Sequence, residues 1–306
     1  MAGNTWTEKD MPDQSGRVVV ITGANSGLGY VASGAFAAKG ATVVIACRSQ
    51  AKGEAARASL LAAHPGTDLR LSLLDTSDLD SVRQFADRFL AGHGRLDVLL
   101  NNAGIMATPE VRTRQGHESQ LATNHLGHFA LTGLLLPRLL STPGSRVVAV
   151  SSLAARSGKI ALDDLMGTRK YDAWVAYNQS KLANLMFGIE LQRRLARAGS
   201  STTAYAAHPG ASTTNLFATP GGSFIKKILT PIMGFMFQPA EMGTLPLLYA
   251  AAAKEAQPGG YYGPANMGEM KGPVAPAQVP PLAQDADMAR RLWEVSEELT
   301  GVRYLD

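Results

Sequence analysis

The sequence is poor in cysteine, in clustered charge and in long apolar segments. Its one cysteine, Cys47, cannot form an internal disulfide, which argues against a disulfide-stapled secreted domain. The 29 basic and 25 acidic residues give a formal net charge of +4, but no run of five basic residues occurs, so we expect no nucleic-acid partner. No signal peptide or run of about 18 apolar residues opens the chain, which predicts a cytoplasmic protein without a transmembrane segment.

A metal site is not expected either. His125 and His128 lie close together in the sequence, but no cysteine or carboxylate stands near them in the spacing of zinc ligands. His208 is a third histidine that could be considered as a metal ligand. We therefore predict no bound metal.

Length and composition favour one α/β domain with short additions. Of the 306 residues, 45% are hydrophobic and 18% charged, as in globular proteins. We expect a loose N-terminal segment at 1–15, a dinucleotide-binding catalytic domain at 16–262 with a substrate lid at 212–240, and a C-terminal extension at 263–306. In that extension, 273–281 is expected to be an extended link to a last helix at 285–300.

The first apolar run leads into a glycine loop. Residues 17–21 are mostly β-branched and predict a buried strand, and the alanine-rich run that ends at Gly40 predicts a helix. Between them, Gly23 can form the tight turn, Gly27 can let a pyrophosphate approach the backbone, and Gly29 can let helix and strand pack closely. The spacing, Gly-x-x-x-Gly-x-Gly, differs from the standard Gly-x-Gly-x-x-Gly, and a plain strand-to-helix turn is the alternative.

Further short apolar runs alternate with segments of helical length. Each of them ends in small or polar residues: 42–46 before Arg48, 69–74 before Asp75, 96–100 before 101–104, and 147–150 before Ser151 and Ser152. This alternation predicts a Rossmann-type, doubly wound parallel sheet of about seven strands with helices on both faces. Ligands bind at the carboxyl ends of such strands, where all these polar groups fall.

Arg48 indicates the cofactor. A site for NAD usually carries an acid near the end of the second strand, whereas an arginine accommodates the 2′-phosphate of NADP. The acid is absent here, and a guanidinium can pair with phosphate and stack on adenine. The alternative is an ordinary surface arginine at a strand end.

Tyr177 and Lys181 are four residues apart, so a helix places them one turn apart on one face. A phenol ionises near pH 10, and a neighbouring cation is expected to lower that pKa. The pair is therefore a candidate general acid/base. The alternative is an amphipathic helix with a snorkelling lysine.

Together these motifs resemble the classical short-chain dehydrogenase/reductase family. The residues that carry the resemblance are 22–29, 101–104, Asn124, Ser152, Tyr177, Lys181 and 208–210. Within the family, the chain resembles the branch of retinol dehydrogenases and protochlorophyllide reductases, through 46–48, 123–129, 177–184 and 292–301.

The resemblance implies a role for each catalytic residue. Tyr177 would exchange a proton with the substrate oxygen, and Lys181 would lower its pKa and bind the nicotinamide ribose. Ser152 would stabilise the carbonyl oxygen, although the sequence alone leaves Ser151 open. Asn124 would hold a water in a proton relay from Lys181, with a capping or kinking role on its helix as the alternative.

The cofactor NADP(H) would lie along one row of residues. Asp75 would approach the adenine edge, and Thr214 would touch the nicotinamide carboxamide. The full set is Gly23, Asn25, Ser26, Gly27, Leu28, Gly29, Arg48, Asp75, Asn102, Ala103, Gly104, Tyr177, Lys181, Pro209, Gly210 and Thr214.

Two segments depart from a simple member of the family. The 24 residues 153–176 make the gap between Ser152 and Tyr177 about twice the usual length, which puts a standard pocket and a standard tetramer in doubt and leaves a homodimer open. Residues 217–237 are rich in Phe, Ile and Met and correspond to the family's substrate lid. We expect them to close over a bulky apolar ligand, with a subunit contact or a membrane-surface helix as alternatives.

The expected function is an NADP(H)-dependent oxidoreductase that interconverts a carbonyl and an alcohol on a small apolar molecule. One alternative is reduction of an activated carbon-carbon double bond, as in the protochlorophyllide reductase branch. That branch uses a cysteine in the substrate region, whereas Cys47 lies at the cofactor end. Another alternative is a non-catalytic NADPH-binding sensor or scaffold.

Overall fold

A computed structural model describes residues 6–212 and 238–305, and within them eight strands form one sheet. The order across the sheet is β3-β2-β1-β4-β5-β6-β7-β8. All neighbours are parallel except β7 and β8, which are antiparallel. The strands are β1 Val18–Thr22, β2 Thr42–Cys47, β3 Leu69–Leu73, β4 Val98–Asn101, β5 Arg146–Val150, β6 Thr203–Ala207, β7 Tyr261–Asn266 and β8 Lys271–Pro276.

Helices connect the parallel strands and cover both faces of the sheet. They are α1 Gly27–Ala38, α2 Gln50–Ala63, α3 Leu79–Gly92, α4 Ser119–Leu121, α5 Gly127–Leu140, α6 Ala173–Arg197, α7 Ala240–Ala252, α8 Pro281–Gln284 and α9 Ala286–Thr300. A π-helical turn, Ala122–Leu126, joins α4 to α5, and a 3₁₀ turn, Leu153–Ser157, follows β5.

Successive residues of the buried strands point to opposite faces of the sheet, because the side-chain period of a strand is two. In β1, Val19 and Ile21 join the core beneath α1 and α7, whereas Val20 joins the core beneath α3 and α5. All three are fully buried. The predicted doubly wound α/β architecture is therefore confirmed.

The sheet has one strand more than the roughly seven predicted. An extended link is expected at 273–281, but residues 273–276 belong to β8, which pairs with β7 from Tyr262 opposite Pro276 to Asn266 opposite Lys271. Two features hid this strand. Its sequence contains two prolines, and no helix separates it from β7, so the alternation of strands and helices does not reveal it.

Both ends of the described chain pack against the domain. In the N-terminal segment, Met11 and Gln14 are buried and Trp6 contacts Tyr249 edge to face. The expectation of a loose segment is wrong for residues 6–15, because Met11 belongs to the core beneath α1 and α7 and Trp6 packs against that core. At the other end α9, capped by Asp285, packs on α5 and α6.

No helix among the described residues is long and apolar enough to span a bilayer.

Candidate active site

A cleft of about 1090 Å³ opens at the carboxyl ends of the parallel strands. Most of the predicted site residues line it: Gly23, Asn25, Ser26, Gly27, Leu28, Arg48, Asp75, Asn102, Ala103, Gly104, Ser152, Tyr177, Lys181, Pro209 and Gly210. Gly29 and Asn124 lie just behind its wall. Thr214 and the segment 217–237 fall outside the described residues.

The glycine turn after β1 is held by its neighbour after β4. Gly23 has a φ of +66°, which favours glycine, and a Cβ there would lie 3.0 Å from Cα of Ala103. A Cβ on Gly29 would lie 2.6 Å from the Gly23 carbonyl oxygen. The Thr22 hydroxyl accepts hydrogen bonds from the amides of Asn102 (2.9 Å) and Ala103 (2.8 Å). The two turns therefore form one rigid wall of the cleft.

Helix α1 begins at this wall without a side-chain cap. Its N-cap is Ser26, whose hydroxyl makes no capping hydrogen bond. By contrast, Ser49, Asp78 and Asp172 each accept from a first-turn amide of α2, α3 and α6, respectively. The amides of α1 are thus open to an anion in the cleft, and the helix dipole favours one there.

The far end of the cleft, lined by Arg48, Ser49 and Lys52, is here called the β2 end. Arg48 and Lys52 are exposed, and neither forms an ion pair within the described part of the chain. Asp75 also lines the cleft, but its carboxylate accepts from the amide (2.9 Å) and hydroxyl (2.6 Å) of Ser77. The β2 end therefore carries two cations that are available for an anion.

The opposite end, lined by Ser152, Tyr177 and Lys181, is here called the catalytic end. The long helix α6 begins at its cap, Asp172, and buries both members of the predicted pair: Tyr177 is 5% exposed and Lys181 is 4% exposed. The Lys181 ammonium donates to the Val150 carbonyl (3.2 Å). Burial lowers the pKa of Lys181 to about 8, because the charged form loses solvation.

The expected lowering of the Tyr177 pKa is not found in this structure. Burial raises the pKa of the phenol, and a hydrogen bond with Ser152 only partly opposes this effect. The Lys181 Nζ atom lies 5.9 Å from the centre of the Tyr177 ring and is bound to a backbone carbonyl. Sequence spacing places the two residues on one face of the helix, but the sign of the pKa shift depends on burial.

The two serines after β5 differ in what their hydroxyls contact. Ser151 is buried and donates to the Lys181 backbone carbonyl (2.8 Å), which fixes α6 to the sheet. Ser152 is half-buried, caps the turn Leu153–Ser157 and interacts with Tyr177. This geometry favours Ser152 over Ser151 as the group that meets a substrate oxygen.

Asn124 stands in the π-helical turn, with its amide bound to protein groups. Its Oδ1 accepts from the Ile105 amide (2.8 Å), and its Nδ2 donates to the Ile105 carbonyl (3.0 Å) and the Ser180 hydroxyl (2.8 Å). The side chain therefore joins the turn after β4 to α6. Its water-holding role stays a prediction.

A buried histidine that the motifs did not assign continues this network. His128 Nδ1 lies 2.9 Å from the Asn124 carbonyl and Nε2 lies 2.9 Å from the Thr22 hydroxyl. Burial lowers the pKa of His128 to about 4, so the ring is neutral, donates from Nδ1 and accepts at Nε2. It links the glycine turn to Asn124 inside the core.

These features fit a nicotinamide dinucleotide. The uncapped amides of α1 suit a pyrophosphate, the glycine turn allows close approach of the backbone, and Arg48 and Lys52 suit a phosphate at the β2 end. The catalytic end supplies a phenol and an ammonium. The donor set is therefore that of a dinucleotide site joined to a proton-transfer site.

Comparison with known proteins identifies the family. The model of the short chain dehydrogenase family matches residues 17–220. The chain belongs to this family. It is thus an oxidoreductase that acts on the alcohol and carbonyl pair, and it lies in the retinol dehydrogenase-like branch.

Three relatives show the extent of the likeness. Retinol dehydrogenase 12 of Mus musculus is 40% identical over 94% of this chain and 88% of its own length. The crystal structure of an uncharacterized protein from Mycobacterium paratuberculosis is 45% identical, covers 98% of this chain and 99% of that one, and has a TM-score of 0.82. A short chain dehydrogenase from Shigella flexneri, complexed with NADP, is 23% identical over 82% of this chain and 97% of its own, with a TM-score of 0.63. This last likeness concerns the fold alone.

Sequence reasoning did not single out Trp174 as a residue of the site. Trp174 lines the cleft three residues before Tyr177, with its ring edge to face against the phenol at 6.1 Å between centroids. Its spacing to Tyr177 was a usable signal, because residues three apart on a helix are neighbours.

Proposed function

We propose that the protein is an NADP(H)-dependent oxidoreductase that interconverts a carbonyl and an alcohol on a small apolar molecule, with Tyr177 as the general acid/base. The observation that carries this proposal is the shared cleft. Tyr177, Lys181 and Ser152 line one end of it, and Arg48 and Lys52 line the other.

The residues at the catalytic end act on the substrate oxygen. In reduction, Tyr177 donates its phenolic proton to that oxygen, and in oxidation it takes the proton back. The Ser152 hydroxyl donates a hydrogen bond that stabilises the charge developing on the oxygen. The Lys181 ammonium, almost without solvent, favours the phenolate that forms when Tyr177 gives up its proton. The nicotinamide, when bound, supplies or accepts the hydride.

The choice of NADP(H) over NAD(H) rests on the β2 end. Arg48 is a planar donor suited to a bidentate phosphate contact, and Lys52 adds a second positive charge one helical turn away. No acid stands at position 48 or 49 to accept from a ribose 2′-hydroxyl.

The residues that line the cleft beside Tyr177 support the proposal of an apolar substrate. Trp174 is 55% exposed and faces the cleft together with Ile105 and Met106. An exposed indole next to a proton donor offers area for an apolar ligand to bury. Retinol, the alcohol in the names of several relatives, is of this chemical class. The lid at 217–237, a homodimer and a cytoplasmic location stay predictions.

The double-bond reductase is the weaker alternative. Cys47 lies at the β2 end of the cleft, away from Tyr177, where its thiol donates to the Ser49 carbonyl (3.4 Å). Burial raises the pKa of this thiol, which reduces its reactivity. Cys47 is thus poorly placed to give a proton to a substrate carbon.

The test is turnover by the purified protein. NADPH oxidation is measured with long-chain and aromatic aldehydes, ketones and quinones, with small polar carbonyls as the contrast, and the reverse reaction with matching alcohols. We expect turnover of the apolar carbonyls, with NADPH preferred to NADH. Binding of NADPH without turnover of any compound would favour the sensor, and reduction confined to conjugated double bonds would favour the alternative reductase.

A further inference from the structure

We propose that Glu269 is a positioning residue for the loop 208–210, acting through the imidazole of His208. This inference rests on the proposed function, because Pro209 and Gly210 of that loop line the cleft in which the proposed reaction takes place. Glu269 lies in the turn between β7 and β8, outside every motif of the sequence.

His208 connects the carboxylate to the loop. Its Nε2 lies 2.9 Å from Glu269 Oε2, and its Nδ1 accepts from the Gly210 amide (3.2 Å). The ring is fully buried, and burial lowers its pKa, so it is neutral. A neutral imidazole has one N–H. The carboxylate draws it to Nε2 and leaves Nδ1 as the acceptor that the Gly210 amide requires.

The loop is held at several further points. The Pro209 carbonyl accepts from the Ser212 hydroxyl (2.7 Å) and from the side-chain Nε2 of Gln238 (2.8 Å). The Ala211 amide donates to the Met270 carbonyl (2.8 Å). Gly210 has a φ of +64°, and a Cβ there would lie 2.4 Å from the Met270 carbonyl oxygen. Contacts with the β7–β8 turn thus hold the backbone of the loop in this conformation.

Arg156 joins the same carboxylate to the turn Leu153–Ser157, which follows Ser152. Its Nη2 lies 2.7 Å from Glu269 Oε2, and its Nη1 donates to the Gly268 carbonyl (3.0 Å). Arg156 belongs to the 3₁₀ turn that Ser152 caps. Glu269 therefore sets the position of the 208–210 loop relative to the group that binds the substrate oxygen.

The backbone of the turn indicates that this arrangement is strongly constrained. Met267 and Glu269 have φ values of +52° and +69°, a region that side-chain-bearing residues rarely adopt. Such conformations persist where surrounding contacts over-determine them, and they cluster at functional sites. Here the contacts are those of Glu269 with His208, with Arg156 and with the Gln278 amide (2.8 Å).

The test compares Glu269→Ala with Glu269→Gln, which keeps an acceptor for His208, and with Glu255→Ala, an exposed control. Three quantities are measured: kcat, the Kd of NADPH, and the Kd of adenosine 2′,5′-bisphosphate, which lacks the nicotinamide half. We expect Glu269→Ala to lower kcat and weaken NADPH binding, each by roughly tenfold, with fragment binding unchanged and Glu269→Gln less affected.

A double-mutant cycle tests whether Glu269 acts through His208. His208→Asn keeps an acceptor near the Gly210 amide but loses the partner of the carboxylate. In that background Glu269→Ala should change kcat and NADPH binding less than about twofold, because coupled residues are not additive. Equal losses in both backgrounds, or equal weakening of the fragment and of NADPH, would overturn the proposal. Since the binding measurements need no turnover, they remain informative even where the wild-type protein reduces no carbonyl compound.

Discussion

The two ends of the cleft place their charged groups in opposite environments. At the β2 end, Arg48 and Lys52 are exposed, whereas at the catalytic end Tyr177 and Lys181 are almost without solvent contact. An exposed cation attracts an anion only weakly, because water and salt screen the interaction. A buried group is strongly affected by desolvation, which is why the pKa of Lys181 falls to about 8 and that of Tyr177 rises.

Under the proposed function, the two ends of the cleft have different tasks. Recognition of a phosphate needs donors and charge at the right place, and water does not prevent it. Proton transfer needs groups whose pKa values respond to charge that appears during the reaction, and burial makes that response large. Substitutions at the catalytic end should therefore affect rate and pH dependence, and those at the β2 end should affect cofactor choice.

The largest effect is expected at the phenol. Tyr177→Phe removes the proton donor and should lower kcat/KM by a factor on the order of 10² to 10⁴, while the Kd of NADPH changes less than about threefold. Steady-state kinetics and cofactor titration measure the two quantities. Tyr30→Phe, on α1, is the matched control. Retention of most of the turnover by Tyr177→Phe, with chemistry rate-limiting, would refute the assignment.

The second prediction concerns the buried charge of Lys181 in the cofactor-free protein. Its pKa is about 8 in the fold against an ordinary 10.5, so between these values the unfolded chain binds more protons and the free energy of unfolding rises with pH. At pH 7 the buried charge costs at most about 3 kcal/mol. Lys181→Met should thus be more stable than wild type at pH 7, by a margin that shrinks towards pH 10.

Urea unfolding at pH 7, 8, 9 and 10 measures this margin. Lys254→Met, at an exposed position, is the control and should show no such trend. A margin that stayed constant from pH 7 to pH 10 would mean that Lys181 keeps its ordinary pKa in the fold, and the contrast between the two ends would then be lost.

The third prediction concerns the β2 end. Arg48→Asp should reverse the preference from NADPH to NADH, changing the ratio of their Kd values by roughly 10-fold to 100-fold, because an acid repels the 2′-phosphate and accepts from a 2′-hydroxyl. The kcat at saturating cofactor should change little. Arg57→Ala, on α2 and ion-paired with Glu54, is the control. An unchanged Kd ratio would show that Arg48 does not meet the phosphate.

The smallest expected effect is at Trp174. Trp174→Ala removes apolar area beside Tyr177 and should lower kcat/KM for long or aromatic carbonyls by roughly tenfold, sparing small polar ones. Val175→Ala is the matched control, since Val175 is the adjacent exposed residue and does not line the cleft. Equal losses for apolar and polar substrates would argue that Trp174 only supports Tyr177.

Features that depend only on residues close together in the chain could be predicted from the sequence. The strand and glycine turn at 17–29, the alternation of strands and helices, and the spacing of Tyr177 and Lys181 follow from local periodicity and backbone sterics. These features predicted the fold class, and together with the family resemblance they predicted fifteen of the residues that line the cleft. Local signals failed at β8, because its two prolines concealed an edge strand that pairs with the preceding strand β7.

Only the tertiary structure decided properties that arise when distant segments meet. Glu269 reaches His208 across 61 residues of sequence, and Thr22 reaches His128 across 106. The two neighbouring serines differ in their contacts, because the Ser151 hydroxyl donates to the Lys181 backbone carbonyl in α6 and the Ser152 hydroxyl does not. The pKa of Tyr177 rises although a lysine stands one turn away, because desolvation depends on everything packed around a group and not on its spacing along the chain.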